Sequence, residues 1–153
     1  MHQKAAGADA GASRDTACMD RTVWLSRLLG VGGVLEAAAG LGLLIDPAGG
    51  AAALFGASMQ GPGLAIGRIG GSGLLALGIA CWLARRTPAA PATIGVGWAY
   101  LSYNVITCGV LVWASATLEG SSLPALGAAI LHGALGVAVF TALTGRPRAA
   151  ASP

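Results

Sequence analysis

The chain has 153 residues, of which 55% are hydrophobic and only 10% are charged, whereas about 25% of the residues of an ordinary soluble domain are charged. The formal net charge is +3, but the nine basic residues form no patch along the sequence, which argues against nucleic acid as a partner. This composition excludes an ordinary soluble domain and predicts one small domain that lies in the lipid bilayer.

Residues 1–20 carry the first charges of the chain, among them Lys4 and Arg14, in a background of Ala, Gly and Ser without apolar periodicity. We expect a disordered cytoplasmic tail here. A cleaved signal peptide is the alternative, because a basic segment precedes an apolar run. We favour an uncleaved helix, since the run is longer than a usual signal core and its small-residue cluster, 37–39, lies in mid-span.

The first predicted membrane helix covers residues 23–45, with Glu36 near its middle. At about 1.5 Å per residue it is about 34 Å long, which is enough to cross a hydrocarbon core of about 30 Å. A charged side chain is costly in hydrocarbon, so Glu36 is expected to face the interior of a bundle rather than lipid. Gly32, Gly33 and Gly40 lie on the same helical face and leave room for another helix to approach.

Three further apolar segments are long enough to span a bilayer, which predicts an all-α, integral membrane four-helix bundle. The segment after the last helix is short and polar, and we expect it to be a second cytoplasmic tail. The predicted organisation is a transmembrane domain over 21–145, with helices at about 23–45, 63–84, 92–114 and 123–143, and a tail over 146–153.

The connection between the first two helices contains an apolar piece of its own. Asp46 and Pro47 are typical of the end of a helix and the start of a turn. The apolar piece at 51–59 is too short to cross the bilayer. We expect it to lie in the interface or to fold back on the bundle.

Basic residues lie almost entirely on one side of the predicted spans. The two connections on the opposite side contain none, so the positive-inside rule places both termini in the cytoplasm of a multi-pass protein with an even number of spans. The basic residues on the cytoplasmic side are Lys4, Arg14, Arg21, Arg27, Arg85, Arg86, Arg146 and Arg148.

Arg68 is the exception, because it lies within the second predicted helix. Counted from the outer face, Glu36 is about 13 Å deep and Arg68 about 8 Å deep, at about 1.5 Å per residue. Since opposite charges in a membrane interior usually pair, we expect an ion pair between them. The alternative is that Arg68 reaches outward to headgroups, while Glu36 is satisfied by a neighbouring hydroxyl or by a proton.

The third and fourth helices carry polar residues at similar depths. Tyr100, Asn104, Thr107 and Cys108 form one stripe at helical spacing, Tyr103 flanks it, and His132 lies about 13 Å from the outer end of the last helix. Hydrogen bonding between helices is the default use of such residues, and ligand contact is the alternative. The predicted polar core, which is also the candidate binding site, consists of Glu36, Arg68, Tyr103, Asn104 and His132.

Several chemistries lack support in the sequence. The three cysteines form no CxxC pair, so neither a thiol redox motif nor a zinc site is indicated, and we expect no metal site. A single histidine within the membrane is weak evidence for a haem-binding site. No nucleotide-binding loop or hydrolase motif is present. The sequence therefore leaves the cofactor unknown and firmly implies none.

Three short motifs carry a resemblance to a known group: PAGGAAALFGASMQGPGLAIGRIGGSGLLALGIACWLARR, the YN pair at Tyr103 and Asn104, and AAILHGALGVAVF around His132. The chain resembles a group of small four-helix bacterial inner-membrane proteins of unknown function. In that group an arginine followed by small residues opens the second helix, a YN pair marks the third and a histidine marks the fourth. The architecture is also loosely similar to that of DoxX-like proteins. The resemblance covers about residues 23–143 and implies the fold and the membrane location, but no activity.

Three functions are compatible with this sequence. We favour a non-enzymatic membrane protein whose polar core holds the bundle together or binds a small lipid-soluble molecule such as a quinone, as an accessory to a larger membrane complex. The first alternative is a small proton-coupled transporter that uses Glu36. The second is a membrane enzyme with His132 as base and Glu36 as acid. Glycine-rich helix faces permit a homo-oligomer, but they serve packing within one chain equally well.

Overall fold

The computed structural model describes the backbone of residues 3–118 and 123–145 and the side chains of residues 21–118 and 123–145. Every element in the described part is a helix, which confirms the all-α prediction. The helices are α1 (Gln3–Ile45), α2 (Pro47–Phe55), α3 (Pro62–Ala84), α4 (Pro91–Thr117) and α5 (Leu123–Thr144).

Four segments are long and apolar enough to cross a membrane, and they correspond to the four predicted spans. They are Arg21–Ile45 of α1, Pro62–Ala84, Pro91–Thr117 and Leu123–Thr144. Their ends differ from the predicted ends by at most three residues, with the largest difference at the C-terminal end of α4. The chain is therefore a multi-pass membrane protein with a four-helix domain.

Helix α1 begins at Gln3, whereas the sequence predicts a disordered tail over 1–20. Residues 3–20 contain several alanines and no proline, and alanine has the highest helix propensity. Extending a membrane helix that already exists also avoids the cost of a new helix nucleus. The second predicted tail, 146–153, lies outside the described residues.

Helix α2 contains residues 51–55 of the short apolar piece predicted at 51–59, and it folds back on the bundle, one of the two predicted arrangements. The Asp46 carboxylate caps it by accepting a hydrogen bond of 2.8 Å from the Gly49 N–H. The other end stops at Gly56, whose φ of 72° lies in the left-handed region that favours glycine. Pro47 is buried, and α2 contacts α1, α3 and α5.

Helices α1 and α3 form the most closely packed pair. A Cβ atom added at Gly40 would lie 2.5 Å from the Leu75 nitrogen, and one added at Gly78 would lie 2.6 Å from the Ala37 nitrogen. Gly33 and Gly71 are similarly blocked by the opposite backbone. Since only glycine permits this approach, these small residues serve packing within the chain.

Helices α4 and α5 form the second pair, and larger side chains fill the space between the two pairs. Leu29, Tyr100, Cys81 and Val139 are completely buried in this core. At one end of the bundle the Arg21 guanidinium donates to the Leu143 carbonyl at 2.8 Å. This bond ties the start of the first span to the last carbonyls of α5, which have no partner within their own helix.

Candidate functional site

Glu36 is buried in the bundle, as the sequence predicts, with only 3% of its surface exposed. Its position on α1 falls between Gly33 and Gly40, the two glycines that let α3 approach. The hydroxyl of Tyr103 on α4 lies near the Glu36 carboxyl and near Thr107. A neighbouring hydroxyl therefore faces the acid, which is the arrangement given above as the alternative to an ion pair.

Arg68 does not meet Glu36, so the predicted ion pair is not formed. Its side chain is exposed, and its Nε donates to the Leu44 carbonyl at 3.3 Å. Gly40 lies opposite Gly71, which places Arg68 beside residues 43–44, about 10 Å from the level of Glu36 at about 1.5 Å per residue. Counting depth from the helix ends assumes that both spans start at one level, whereas α3 starts beyond the end of α1.

Asn104 and His132 form the central polar contact between α4 and α5. Nδ1 of His132 lies 2.9 Å from Oδ1 of Asn104, which is completely buried. Nδ2 of Asn104 donates to the Tyr100 carbonyl at 2.8 Å. The polar stripe of α4 therefore bridges two helices, as its default interpretation predicts.

This arrangement also determines the state of the imidazole. An amide oxygen can only accept a hydrogen bond, so Nδ1 of His132 must carry the hydrogen in the contact with Asn104. In a neutral ring, Nε2 then carries a lone pair and no hydrogen. The imidazole itself is half-buried.

Tyr103 connects the acid to the imidazole. Its ring meets the His132 ring edge to face, with centroids 5.5 Å apart and planes at 83°. Because its hydroxyl reaches Glu36, Tyr103 lies between the two titratable groups. Four of the five predicted site residues, Glu36, Tyr103, Asn104 and His132, are thus brought together, and Arg68 is left out.

Tyr100 belongs to the same cluster but is absent from the predicted site. It is completely buried, and its hydroxyl has no hydrogen-bond partner among the described residues. The hydroxyl lies against Gly32, where any Cβ atom would overlap it. The sequence contains a signal for including Tyr100 in the site, because its spacing from Asn104 places both residues on the same buried stripe of α4.

A groove of about 350 Å³ opens beside His132, between α4 and α5. His132 is the most polar residue of its lining, and the Cys108 thiol lies nearby. Val105, Val137 and Phe140 form the walls and are about half exposed or more. Since these exposed walls belong to membrane-spanning helices, the groove is accessible from the lipid.

Comparison with known proteins yields no relative: no protein-family model, no curated protein and no solved structure matches this chain. The resemblance to small four-helix inner-membrane proteins and to DoxX-like proteins stays a prediction. The function must therefore be argued from the geometry of the site.

Proposed function

We propose that this chain is a non-enzymatic protein of a bacterial inner membrane that binds a small lipid-soluble molecule in the groove between α4 and α5. The ligand class is an isoprenoid quinone in its reduced, hydroquinone form. The observation that carries the proposal is the contact between Asn104 and Nδ1 of His132, which leaves Nε2 as the acceptor of a ring that lines an apolar groove.

The groove combines a hydrogen-bond acceptor with apolar walls, which matches such a ligand. A hydroquinone hydroxyl donates a hydrogen bond, and Nε2 of His132 is the group that accepts it. No water is available in the hydrocarbon core to satisfy this nitrogen, so a donor from the ligand removes an unsatisfied polar group. Val105, Val137 and Phe140 contact the hydrocarbon part of the ligand, and the isoprenoid tail continues into the lipid.

Binding fits the geometry better than catalysis does. His132 lines the groove, but Glu36 does not. Tyr103 stands between the two groups. A base and an acid that act on one substrate must both come within hydrogen-bonding reach of it, and a molecule in this groove reaches only the imidazole.

A proton-coupled transporter is the second candidate. Two observations favour it: Arg68 leaves Glu36 without the cation expected beside it, and Tyr103 links Glu36 towards His132. In such a transporter the Glu36 carboxyl would take up and release the proton, and the Tyr103 ring would separate it from His132. Binding of a lipophilic cation, measured as a function of pH, distinguishes the two candidates. If the protein is a transporter, we expect this binding to depend on Glu36 and to be lost in the Glu36→Gln variant.

The test of the binding proposal uses two glycines of α5 as a matched pair. Gly136 lines the groove, whereas a Cβ added at Gly127 meets nothing within 4 Å. In native mass spectrometry of protein extracted gently from its membrane, we expect a bound quinone or quinol mass with wild type and with Gly127→Leu. Gly136→Leu fills the groove and is expected to lose that mass.

His132→Ala sharpens the same experiment. Loss of one hydrogen bond, worth about 0.5–1.5 kcal/mol, lowers affinity about two- to twelvefold while leaving the groove open. Wild-type protein that carries no small molecule, or equal retention by Gly136→Leu and Gly127→Leu, would contradict the proposal. The polar cluster would then serve only the packing of the helices.

A further inference from the structure

A second groove lies between α1 and α3, and it combines basic and apolar residues. Its volume is about 480 Å³. Arg27 of α1 and Arg85, which directly follows α3, line one end, which is the end predicted to face the cytoplasm. Val31, Val34 and Leu35 continue the groove into the span, each of them 41–57% exposed. The groove is separate from the one beside His132.

Arg85 is held in place at the mouth of this groove. Its guanidinium lies over the Trp82 ring, 3.5 Å from the ring centre. Its carbonyl accepts a hydrogen bond of 2.7 Å from the Ser26 hydroxyl, which ties the end of α3 to α1. The side chain crosses Gly30, where an added Cβ atom would lie 3.2 Å from Cδ of Arg85.

The positive charge at this mouth has no acidic partner in the described structure. Among the described side chains the only carboxyl groups are Glu36 and Asp46. Glu36 faces Tyr103 inside the bundle, and Asp46 caps α2. The buried Nε of Arg85 has no hydrogen-bond partner among the described residues, and Arg27 is exposed.

We infer that this groove binds a glycerophospholipid with a net negative headgroup. Its phosphate lies between Arg27 and Arg85, and an acyl chain follows Val31 and Leu35. The apolar wall extends about 12 Å from Arg27 to Leu35 at about 1.5 Å per residue, so one amphiphile meets both parts of the groove. A zwitterionic lipid would bring its own cation towards two guanidinium groups, which selects for the anionic class.

The experiment compares two neighbouring arginines that differ in one respect. Arg85 lines the groove, whereas Arg86 is exposed and does not. Purified protein is offered equal amounts of phosphatidylglycerol and phosphatidylcholine with the same acyl chains, and bound lipid is measured by native mass spectrometry. We expect one phosphatidylglycerol to bind in preference, and Arg85→Gln to weaken it about fivefold or more. Arg86→Gln removes the same charge and is expected to leave binding unchanged.

Arg27→Gln gives the same test at an exposed residue, where the fold is not at risk, and is also expected to weaken phosphatidylglycerol about fivefold. Glycerol phosphate, which carries the headgroup chemistry without acyl chains, is expected not to bind at the same concentration. Equal binding of the two lipids, equal effects of Arg85→Gln and Arg86→Gln, or equally tight binding of glycerol phosphate would each overturn the inference.

Discussion

The two helix pairs of this bundle are held together in different ways. Between α1 and α3 the backbones touch at glycines, as at Gly40 and Gly78. Between α4 and α5 a hydrogen bond joins Asn104 to His132, and a groove stays open beside it. At its glycine contacts the first pair has no room for a side chain, whereas the second pair has a polar side chain, His132, in the lining of its groove. The first pair is a scaffold, and the second carries the candidate site.

The strongest way to break this comparison is to add one methyl group to the scaffold. Gly40→Ala would place its Cβ 2.5 Å from the Leu75 nitrogen, and we expect the free energy of unfolding to fall by about 1–3 kcal/mol. Gly42→Ala, two residues away, meets nothing within 4 Å. It should be neutral or slightly stabilising, because alanine is the better helix former. Denaturant titration in detergent, followed by circular dichroism, measures both; equal effects would mean that the helices are not in backbone contact.

The polar pair of Asn104 and His132 is tested by removing its hydrogen bond. Asn104→Ala removes the acceptor of His132, and we expect a loss of about 0.6–1.7 kcal/mol in the free energy of unfolding. Ser102→Ala is the control, since this exposed hydroxyl only donates to the Trp98 carbonyl of its own helix.

A double-mutant cycle with His132→Ala isolates the pair. We expect a coupling energy of about 0.5–2 kcal/mol between positions 104 and 132. Strictly additive effects would show that the two side chains do not stabilise each other.

Two tyrosines of α4 give effects of opposite sign. Tyr103→Phe removes a hydroxyl that lies near Glu36 and Thr107, and we expect the free energy of unfolding to fall by about 0.5–1.5 kcal/mol. Tyr100→Phe removes a buried hydroxyl without a partner among the described residues, so stability should stay equal or rise slightly. The same unfolding titration measures both variants. A larger loss of stability in Tyr100→Phe than in Tyr103→Phe would mean that the Tyr100 hydroxyl has a bound partner.

The smallest expected effect concerns Arg68. It is exposed, and among the described residues its one hydrogen bond is to the Leu44 carbonyl, so Arg68→Gln should change the free energy of unfolding by no more than about 0.5 kcal/mol. In a double-mutant cycle with Glu36→Gln, the two changes should add within about 0.3–0.5 kcal/mol. A coupling energy above about 1 kcal/mol would show that Arg68 and Glu36 do form an ion pair between α1 and α3.

Hydropathy was sufficient to predict the four spans, because length and apolar composition alone decide whether a helix can cross a bilayer. The stripe of Tyr100 and Asn104 was predictable for a similar reason, since helical spacing places them on one face. Arg68 was misplaced because the register of α1 against α3 depends on which glycines interlock, and a chain with 25 glycines offers many registers. The groove beside His132 was not predictable, because it is a gap left by packing and no residue pattern encodes it.

The central claim is that His132 presents an unprotonated Nε2 to a groove that hydroquinones enter. The chain contains only two histidines, so ¹⁵N labelling of histidine followed by NMR in detergent gives separate signals for His2 and His132. We predict that the neutral His132 ring carries its hydrogen on Nδ1, and that a decyl-substituted hydroquinone shifts its Nε2 signal without moving that of His2. The Gly136→Leu variant should abolish this shift. A neutral ring with its hydrogen on Nε2 instead, or an Nε2 signal that does not shift when the hydroquinone is added, would contradict this claim.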